Sequence, residues 1–404
     1  MLKVAAACAA LLIALGPSSA SIANTISDQQ YWLESYGFTT AWASSQGEGV
    51  KIAIIDTGID STHPSLQGAV VGGTDMSGLG SIDGQTPVGS NSYHGTMVAS
   101  IAAGRGGAEL IGTAPKAQLL AVSIAFGVEG LDTDSQIADG IIWAVDNGAK
   151  VINLSLTRNS VSWPESWDEA FSYAFDNDVV VVAAVGNRAD GTAEVSAPAT
   201  IPGVISVAGL DREGVASESF STSGLSIGVT APSEDLIGAF PGAEYRLWSG
   251  TSGSAPIVSG LVALIRSMYP EMDAANVVNR VISTAKKVDS EGYSTSYGYG
   301  VIDANQALLA EVPAVTENPL GSLEQWIELY RPQAVVDVAP GQIVRPIQAP
   351  TPFTAFEPLP PVPWYADISN WLPLAGYAGL GLLATFLYFA FRPAGHSPDS
   401  TKRK

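Results

Sequence analysis

Short apolar runs separated by helix-length segments constrain the fold of this 404-residue chain more than any other feature. The runs are apolar almost throughout, rather than alternating between apolar and polar residues. Such strands are buried on both faces, as in a parallel sheet that is covered by helices. Five of them lie within residues 46–310, at 51–55, 118–123, 151–154, 179–184 and 204–207.

Helical segments lie between these runs, for example at 135–147 and 166–177. The alternation predicts an α/β fold, a three-layer sandwich with a mainly parallel central sheet. In sheets of this kind, functional groups gather at the carboxyl ends of strands and the amino ends of helices. We therefore expect the chemistry of this chain at those positions.

Two polar residues follow predicted strands directly. Asp56 comes after the first run and is followed by Thr57 and Gly58, which would leave its carboxylate fixed and approachable. A turn or capping aspartate is the alternative. Asn187 follows the run that ends at Ala184, and its amide could donate to an oxyanion or close a turn.

His94 and Ser252 both begin predicted helices. His94 opens a segment of small residues, 94–104, and Gly95 beside it predicts close approach to another group. The alternative is a buried structural histidine. Ser252 lies between Gly250 and Gly253, which permit a tight turn and an open hydroxyl. It could equally be an N-cap, and the two roles are compatible because a helix amino terminus stabilises negative charge.

Four segments carry a resemblance to the subtilisin family of serine proteases, which covers roughly residues 30–310. They read IAIIDTGID, HGTMVASIAAG, AAVGN and GTSGSAP. The resemblance implies a subtilisin-like endopeptidase with Asp56, His94 and Ser252 as its catalytic triad. It also implies that Asn187 is the oxyanion donor and that polypeptides are the substrate, with no cofactor and no metal required.

The resemblance extends to the segment that binds substrate, but several positions differ from the usual family residues. Ser155, Leu156 and Thr157 resemble the strand that pairs with an extended substrate, although Thr157 replaces a frequent glycine and is expected to narrow the neighbouring pocket. Gly253 stands where the family usually has methionine. A degenerate pseudoprotease is therefore a further possibility. Ser254 replaces the usual alanine, and Ser65 replaces an acidic calcium ligand of many members.

The amino terminus predicts a secretory signal peptide over residues 1–23. Lys3 precedes an apolar run of about 12 residues, and cleavage fits after Ala20 or Ala23. An uncleaved anchor is the alternative, although the run is short for a bilayer. The only cysteine, Cys8, lies in this segment, so disulfides are not expected after cleavage. Residues 24–45 then form a short extension, too small for a folded propeptide.

The carboxyl terminus predicts a membrane anchor. Residues 371–391 carry no charge, which predicts a transmembrane helix at 372–391; a buried core helix is the alternative. The following tail, 392–404, is basic and is expected in the cytoplasm. Residues 311–371 are rich in proline and predict a semi-rigid linker. The catalytic domain, 46–310, would then lie on the outer face of the plasma membrane, which the chain crosses once.

The net charge and the order of segments along the chain indicate which binding partners to expect. The formal net charge of −20, from 39 acidic and 19 basic residues, disfavours nucleic acid. The layout resembles the mycosins, membrane-anchored subtilases of type VII secretion. This resemblance implies a second possible role, as a scaffold component of a secretion complex in which catalysis is dispensable.

Overall fold

Seven parallel strands form the central sheet of the computed structural model, which describes residues 25–106, 110–126, 128–288 and 292–331. The strand order is β2-β3-β1-β4-β5-β6-β7. The strands are β1 (Lys51–Asp56), β2 (Val70–Asp75), β3 (Gln118–Ser123), β4 (Val151–Leu154), β5 (Val180–Ala184), β6 (Ile205–Leu210) and β7 (Val229–Pro232). All five predicted runs are strands of this sheet, while β2 and β7 were not predicted.

The first strand is the point at which the strand order changes direction. From β1 the chain runs to the edge strand β2, returns to β3, and then crosses to β4 on the other side of β1. At the middle of β1, Ile54 lies opposite Ala121 of β3 and Asn153 of β4. Ligand sites of open α/β sheets form where the strand order reverses, and here that place is the carboxyl end of β1.

Helices cover both faces of the sheet, as the apolar runs predict. One face packs against α3 (His94–Ala103) and α6 (Thr251–Met268), and the other against α4 (Thr133–Asp146) and α5 (Glu165–Asp176). Successive side chains of β1 point to opposite faces of the sheet. Ile54 packs in the hydrophobic cluster on the α3 and α6 face and Ile55 in the cluster on the α4 and α5 face, and both are fully buried. This alternation is why a parallel central strand is apolar along its whole length.

An antiparallel hairpin connects the sheet to α6. Its strands are β8 (Leu236–Phe240) and β9 (Glu244–Trp248), with Leu236 opposite Trp248. The hairpin packs on α3, where the N–H of Ala239 donates to the hydroxyl of Ser100 at 2.9 Å. The hairpin was not predicted. Its second strand ends at Trp248, three residues before α6 begins at Thr251.

Residues before the predicted catalytic domain pack into its core. Two short helices, α1 (Tyr31–Ser35) and α2 (Phe38–Ala41), bury Trp32 and Phe38 completely. The side chain of Gln30 exchanges two hydrogen bonds with the backbone of Ile111. The extension at 25–45 is thus part of the folded body.

The chain continues through α7 (Ala274–Ser283) and α8 (Ala304–Leu309) to α9 (Leu323–Tyr330), which lies in the predicted linker. Residues 311–331 are therefore not a spacer. Trp326 packs on Trp163, with ring centroids 4.3 Å apart, and Arg331 forms an ion pair with Asp168 of α5. The expectation of a spacer from residue 311 is wrong as far as Arg331, because Leu323, Trp326 and Ile327 of α9 pack against the core of the body.

No helix within the described ranges is long and apolar enough to cross a membrane. The predicted signal peptide (1–23), the remainder of the linker, the transmembrane helix (372–391) and the basic tail (392–404) lie outside the described residues. These assignments stay predictions.

Candidate active site

The carboxylate of Asp56 lies at the carboxyl end of β1, buried completely from solvent. Its Oδ1 accepts the N–H of Thr57 at 2.7 Å. Both carboxylate oxygens contact Nδ1 of His94, at 2.8 Å and 2.9 Å. A buried carboxylate needs such partners, because it cannot be left unpaired away from water.

The ring of His94 stands between this carboxylate and the open cleft. About 22% of its side chain is exposed, and its ring forms a T-shaped pair with that of Trp248, with ring centroids 5.7 Å apart and planes at 83°. Burial acts to lower the pKa of His94. The charge of Asp56, the hydrogen bond to it and the charge of Asp190 oppose this, and together they raise the pKa above its ordinary value.

Gly95 lets the start of α3 lie directly on the loop after β1. Its N–H donates to the hydroxyl of Thr57 at 2.9 Å. A Cβ at this position would overlap the carbonyl oxygen of Gly58 and press on Asp56. The predicted close approach at Gly95 is confirmed, and it fixes the distance between His94 and Asp56.

Ser252 is the second residue of α6, and Gly250 occupies the N-cap position with a φ of 146°. The alternative that Ser252 caps this helix is therefore wrong. Its hydroxyl donates to the carbonyl oxygen of Ser155 at 3.2 Å, and the hydroxyl of Ser155 donates to the carbonyl oxygen of Ser252 at 2.8 Å. The hydroxyl of Ser252 bonds here to Ser155 rather than to His94.

The amide of Asn187 is oriented by hydrogen bonds on both of its ends. Its Oδ1 accepts the N–H of Thr251 at 2.8 Å and the Thr251 hydroxyl at 3.0 Å. Its Nδ2 donates to Oδ2 of Asp190 at 2.8 Å. A Cβ at Gly250 would come within 3.1 Å of this Nδ2, so glycine allows the amide to lie against the start of α6.

One cleft of about 220 Å³ joins these groups. His94, Ser252 and Asn187 line it, and Asp56 stands behind His94. Along one side run Ser155, Leu156 and Thr157, which continue from β4 but belong to no strand. Further lining residues, which the sequence did not single out, are Phe126, Asn159, Asp190 and Thr192.

The glycine after Ser252 has a steric explanation. A Cβ at Gly253 would overlap Cδ1 of Leu236 and come within 3.5 Å of the Trp248 ring. These two hairpin side chains fill the space that a larger residue would need. Ser254 is also accounted for, because its hydroxyl donates to the carbonyl oxygens of Ala231 and Pro232 at 3.2 Å and 2.8 Å.

Ser65 is buried, and its hydroxyl is 2.9 Å from the hydroxyl of Tyr245. No group of three or more histidine, cysteine or acidic side chains in the described part of the chain is placed to hold a metal ion. The cleft itself presents a serine hydroxyl, an imidazole paired with a carboxylate, and the Asn187 amide.

Comparison with known proteins gives concordant matches. The sequence model of the subtilase family, peptidase S8, matches residues 47–300. Thermitase from Thermoactinomyces vulgaris is 36% identical over 284 residues, which cover 70% of this chain and 96% of thermitase. Fervidolysin from Fervidobacterium pennivorans is 33% identical over 74% of this chain, but the match spans only 46% of fervidolysin.

Among solved structures, the MycP3 protease from the type VII (ESX-3) secretion system superposes with a TM-score of 0.60. It is 30% identical in sequence, and the match covers 71% of this chain and 89% of MycP3. The likeness thus extends from the local sequence blocks around the cleft to the fold of 71% of this chain.

Proposed function

This chain belongs to the subtilase family of serine proteases, and we propose that it hydrolyses internal peptide bonds through an acyl-enzyme on Ser252. The observation that carries the proposal is the convergence of one hydroxyl, one carboxylate-paired imidazole and one oriented amide in a single cleft. Ser252, His94 and Asn187 line that cleft, and Asp56 holds His94 at 2.8 Å.

The pairing with Asp56 defines the state of His94 that the reaction needs. A carboxylate only accepts hydrogen bonds, so Nδ1 carries the proton and the lone pair of Nε2 is left to act as a base. Ser252 gives its proton to Nε2 as its oxygen attacks the scissile carbonyl. The protonated His94 then delivers that proton to the leaving amine, and water completes the cycle.

The hydroxyl of Ser252 must leave the carbonyl oxygen of Ser155 before it can donate to His94. The present bond is 3.2 Å long, and donation to His94 requires that it be exchanged. Catalytic hydrogen bonds are often formed only once substrate is bound. A substrate strand along Ser155, Leu156 and Thr157 would favour this exchange, because it competes for the same backbone.

The oxyanion of the tetrahedral intermediate needs donors that are already in place. The side chain of Asn187 and the N–H of Ser252 at the start of α6 supply them, and the helix amino terminus adds favourable charge. Thr157, Asn159 and Thr192 give the adjoining part of the cleft a polar lining. We expect small or polar residues to be preferred beside the scissile bond.

Peptide cleavage tests this function directly. The full chain should cleave a mixed peptide library, and mass spectrometry should find a covalent acyl adduct on Ser252 when the reaction is quenched early. Ser252→Ala should show neither product nor adduct. A wild-type chain that is folded but leaves the library intact would overturn the proposal.

We propose that the catalytic body lies on the outer face of the plasma membrane, anchored by residues 372–391. The uncharged stretch and the basic tail after it support this. Because the only cysteine is Cys8, single cysteines can report sidedness: an impermeant maleimide should label Glu218→Cys on intact cells but label Ser400→Cys only after lysis. Labelling in the reverse pattern would contradict the orientation.

A scaffold role in a type VII secretion complex is the alternative. The likeness to MycP3, a protease from a type VII secretion system, supports a link to such a system. Complementation of a deletion strain with Ser252→Ala distinguishes the two. Full recovery of secretion would support a scaffold in which catalysis is dispensable, and no recovery would support proteolysis as the essential activity.

A further inference from the structure

Asp190 is an acidic residue of the cleft that the proposed mechanism leaves unused. It ends the short 3-10 helix Arg188–Asp190 and is exposed on the cleft wall. No ion pair engages it among the residues that the structure describes. The neighbouring Arg188 is turned away, toward the backbone of Ser221 and the hydroxyl of Ser223.

The carboxylate of Asp190 completes the set of bonds that orients Asn187. Thr251 holds Oδ1 through two hydrogen bonds, and Asp190 accepts one hydrogen of Nδ2 at 2.8 Å. An amide nitrogen carries two hydrogens. With one engaged by Asp190, the amide plane is fixed and the second hydrogen is left for the oxyanion.

The Thr251 bonds alone leave that plane less defined. They restrain the amide at its oxygen end only. Rotation about the Cβ–Cγ bond moves Oδ1 and Nδ2 together because the amide is planar, and the bond from Nδ2 to Asp190 opposes that rotation from the other end. Because oxyanion stabilisation depends on donors that are fixed before charge develops, a small loss of alignment lowers the rate.

We propose that Asp190 is a positioning residue of the oxyanion hole, which holds the Asn187 amide in its productive orientation through the Nδ2 hydrogen bond. The inference rests on the proposed function of this cleft. Asp190 contacts Asn187 rather than the reacting atoms, so its effect on catalysis is exerted through that amide.

The negative charge of Asp190 has a second effect, on the pKa of His94, which can be measured separately from its hydrogen bond to Asn187. Asp56 from β1 and Asp190 from the 3-10 helix are the charged groups that raise the pKa of His94, against the lowering effect of burial. Asp190→Asn removes the charge but keeps an oxygen that can accept the Asn187 bond. Asp190→Ala removes both.

The experiment compares kcat, KM and the pH profile of kcat/KM for the full chain and three variants. Asp190→Ala should lower kcat about 10-fold, less than loss of the donor itself, and leave KM within about 2-fold. Asp190→Asn should keep kcat within about 3-fold of wild type. Both should shift the acid limb of the profile to lower pH, because His94 loses a neighbouring negative charge.

Glu194→Ala is the matched control, because Glu194 is exposed on the same loop but does not line the cleft. It should change neither kcat nor the acid limb. An unchanged kcat in Asp190→Ala, or an equal loss in Asp190→Asn and Asp190→Ala, would overturn the positioning role. An inactive wild-type chain would instead refute the proposed function, so the two failures are distinct. Thermal melts confirm that each variant is folded.

Discussion

Nδ1 of His94 lies almost equally far from the two carboxylate oxygens of Asp56, at 2.8 Å and 2.9 Å. Asp56 is fully buried, whereas His94 reaches the cleft. The pair therefore links the end of β1 to the site of reaction, and it fixes the imidazole in one tautomer.

On acidification, the chain should lose activity at a higher pH than it would if His94 had the pKa of an ordinary histidine. Asp56 and Asp190 raise the pKa of His94 despite its burial, and the base must be neutral to accept the Ser252 proton. The acid limb of kcat/KM should thus have its midpoint above about 6.5. A midpoint well below that value would contradict the assignment of His94 as the base.

The raised pKa of His94 also affects stability. It stabilises the folded state below about pH 6.5, and this contribution is lost as the pH rises through the pKa that His94 has in the folded state.

Replacing the oxyanion donor should affect turnover rather than binding. Loss of one such donor costs subtilisins about 10²–10³-fold in kcat, and we expect Asn187→Ala to fall in that range with KM within about 3-fold. Steady-state kinetics on a chromogenic peptide measures both. Asn187 also accepts two bonds from Thr251, so a thermal melt must accompany the kinetics. A kcat reduced less than about 5-fold would argue against this role.

A single methyl group at Gly95 should move His94 away from Asp56. In Gly95→Ala the new Cβ overlaps the Gly58 carbonyl oxygen and presses on Asp56, so the start of α3 must move away from β1. We expect a loss of about 1–3 kcal/mol in the free energy of unfolding and a fall of about 10²-fold in kcat/KM. Denaturant titration and kinetics measure these. Unchanged activity would show that the His94–Asp56 distance does not depend on this contact.

Restoring the family's methionine beside Ser252 should be harmful in this chain. The Cβ of Gly253→Met overlaps Leu236, which is fully buried, and overpacking of this kind costs about 1–3 kcal/mol. The melting temperature should fall, and the double variant with Leu236→Ala should lose less stability than the sum of the two single variants, because truncation of Leu236 makes room for the new side chain. Additive effects of the two substitutions would contradict the steric explanation.

The parts of the fold that could be predicted are those whose residues are apolar on both faces. Ile52, Ile54 and Ile55 of β1 carry that signal. The edge strand β2 does not, because Gly72 and Gly73 interrupt its pattern. A Cβ at Gly73 would overlap backbone from Asp83, so this glycine reflects a tertiary contact that no local pattern reveals.

The hairpin β8–β9 was missed for a related reason. It contains Gly238, and its outer strand is largely exposed. Its place depends on α3, against which it packs through Ser100.

The candidate site divides in the same way. Asp56, His94, Asn187 and Ser252 stand next to strand ends or helix starts, which a local reading finds. Asp190 lies in a polar turn with no periodic pattern, although its position three residues after Asn187 was a possible signal. The role of Gly250 as the cap of α6, in place of Ser252, depends on backbone angles that the sequence does not specify.

Active-site labelling with a fluorophosphonate probe tests the central claim most directly, because the probe reacts only with a serine that its base and oxyanion donors have activated. Ser254→Ala is the matched control, since that serine lies two residues away and bonds only to backbone carbonyls. The account predicts one probe per chain on Ser252 in wild type and in Ser254→Ala, and none in Ser252→Ala. A folded wild-type chain that takes up no probe, or equal labelling of Ser252→Ala, would contradict it.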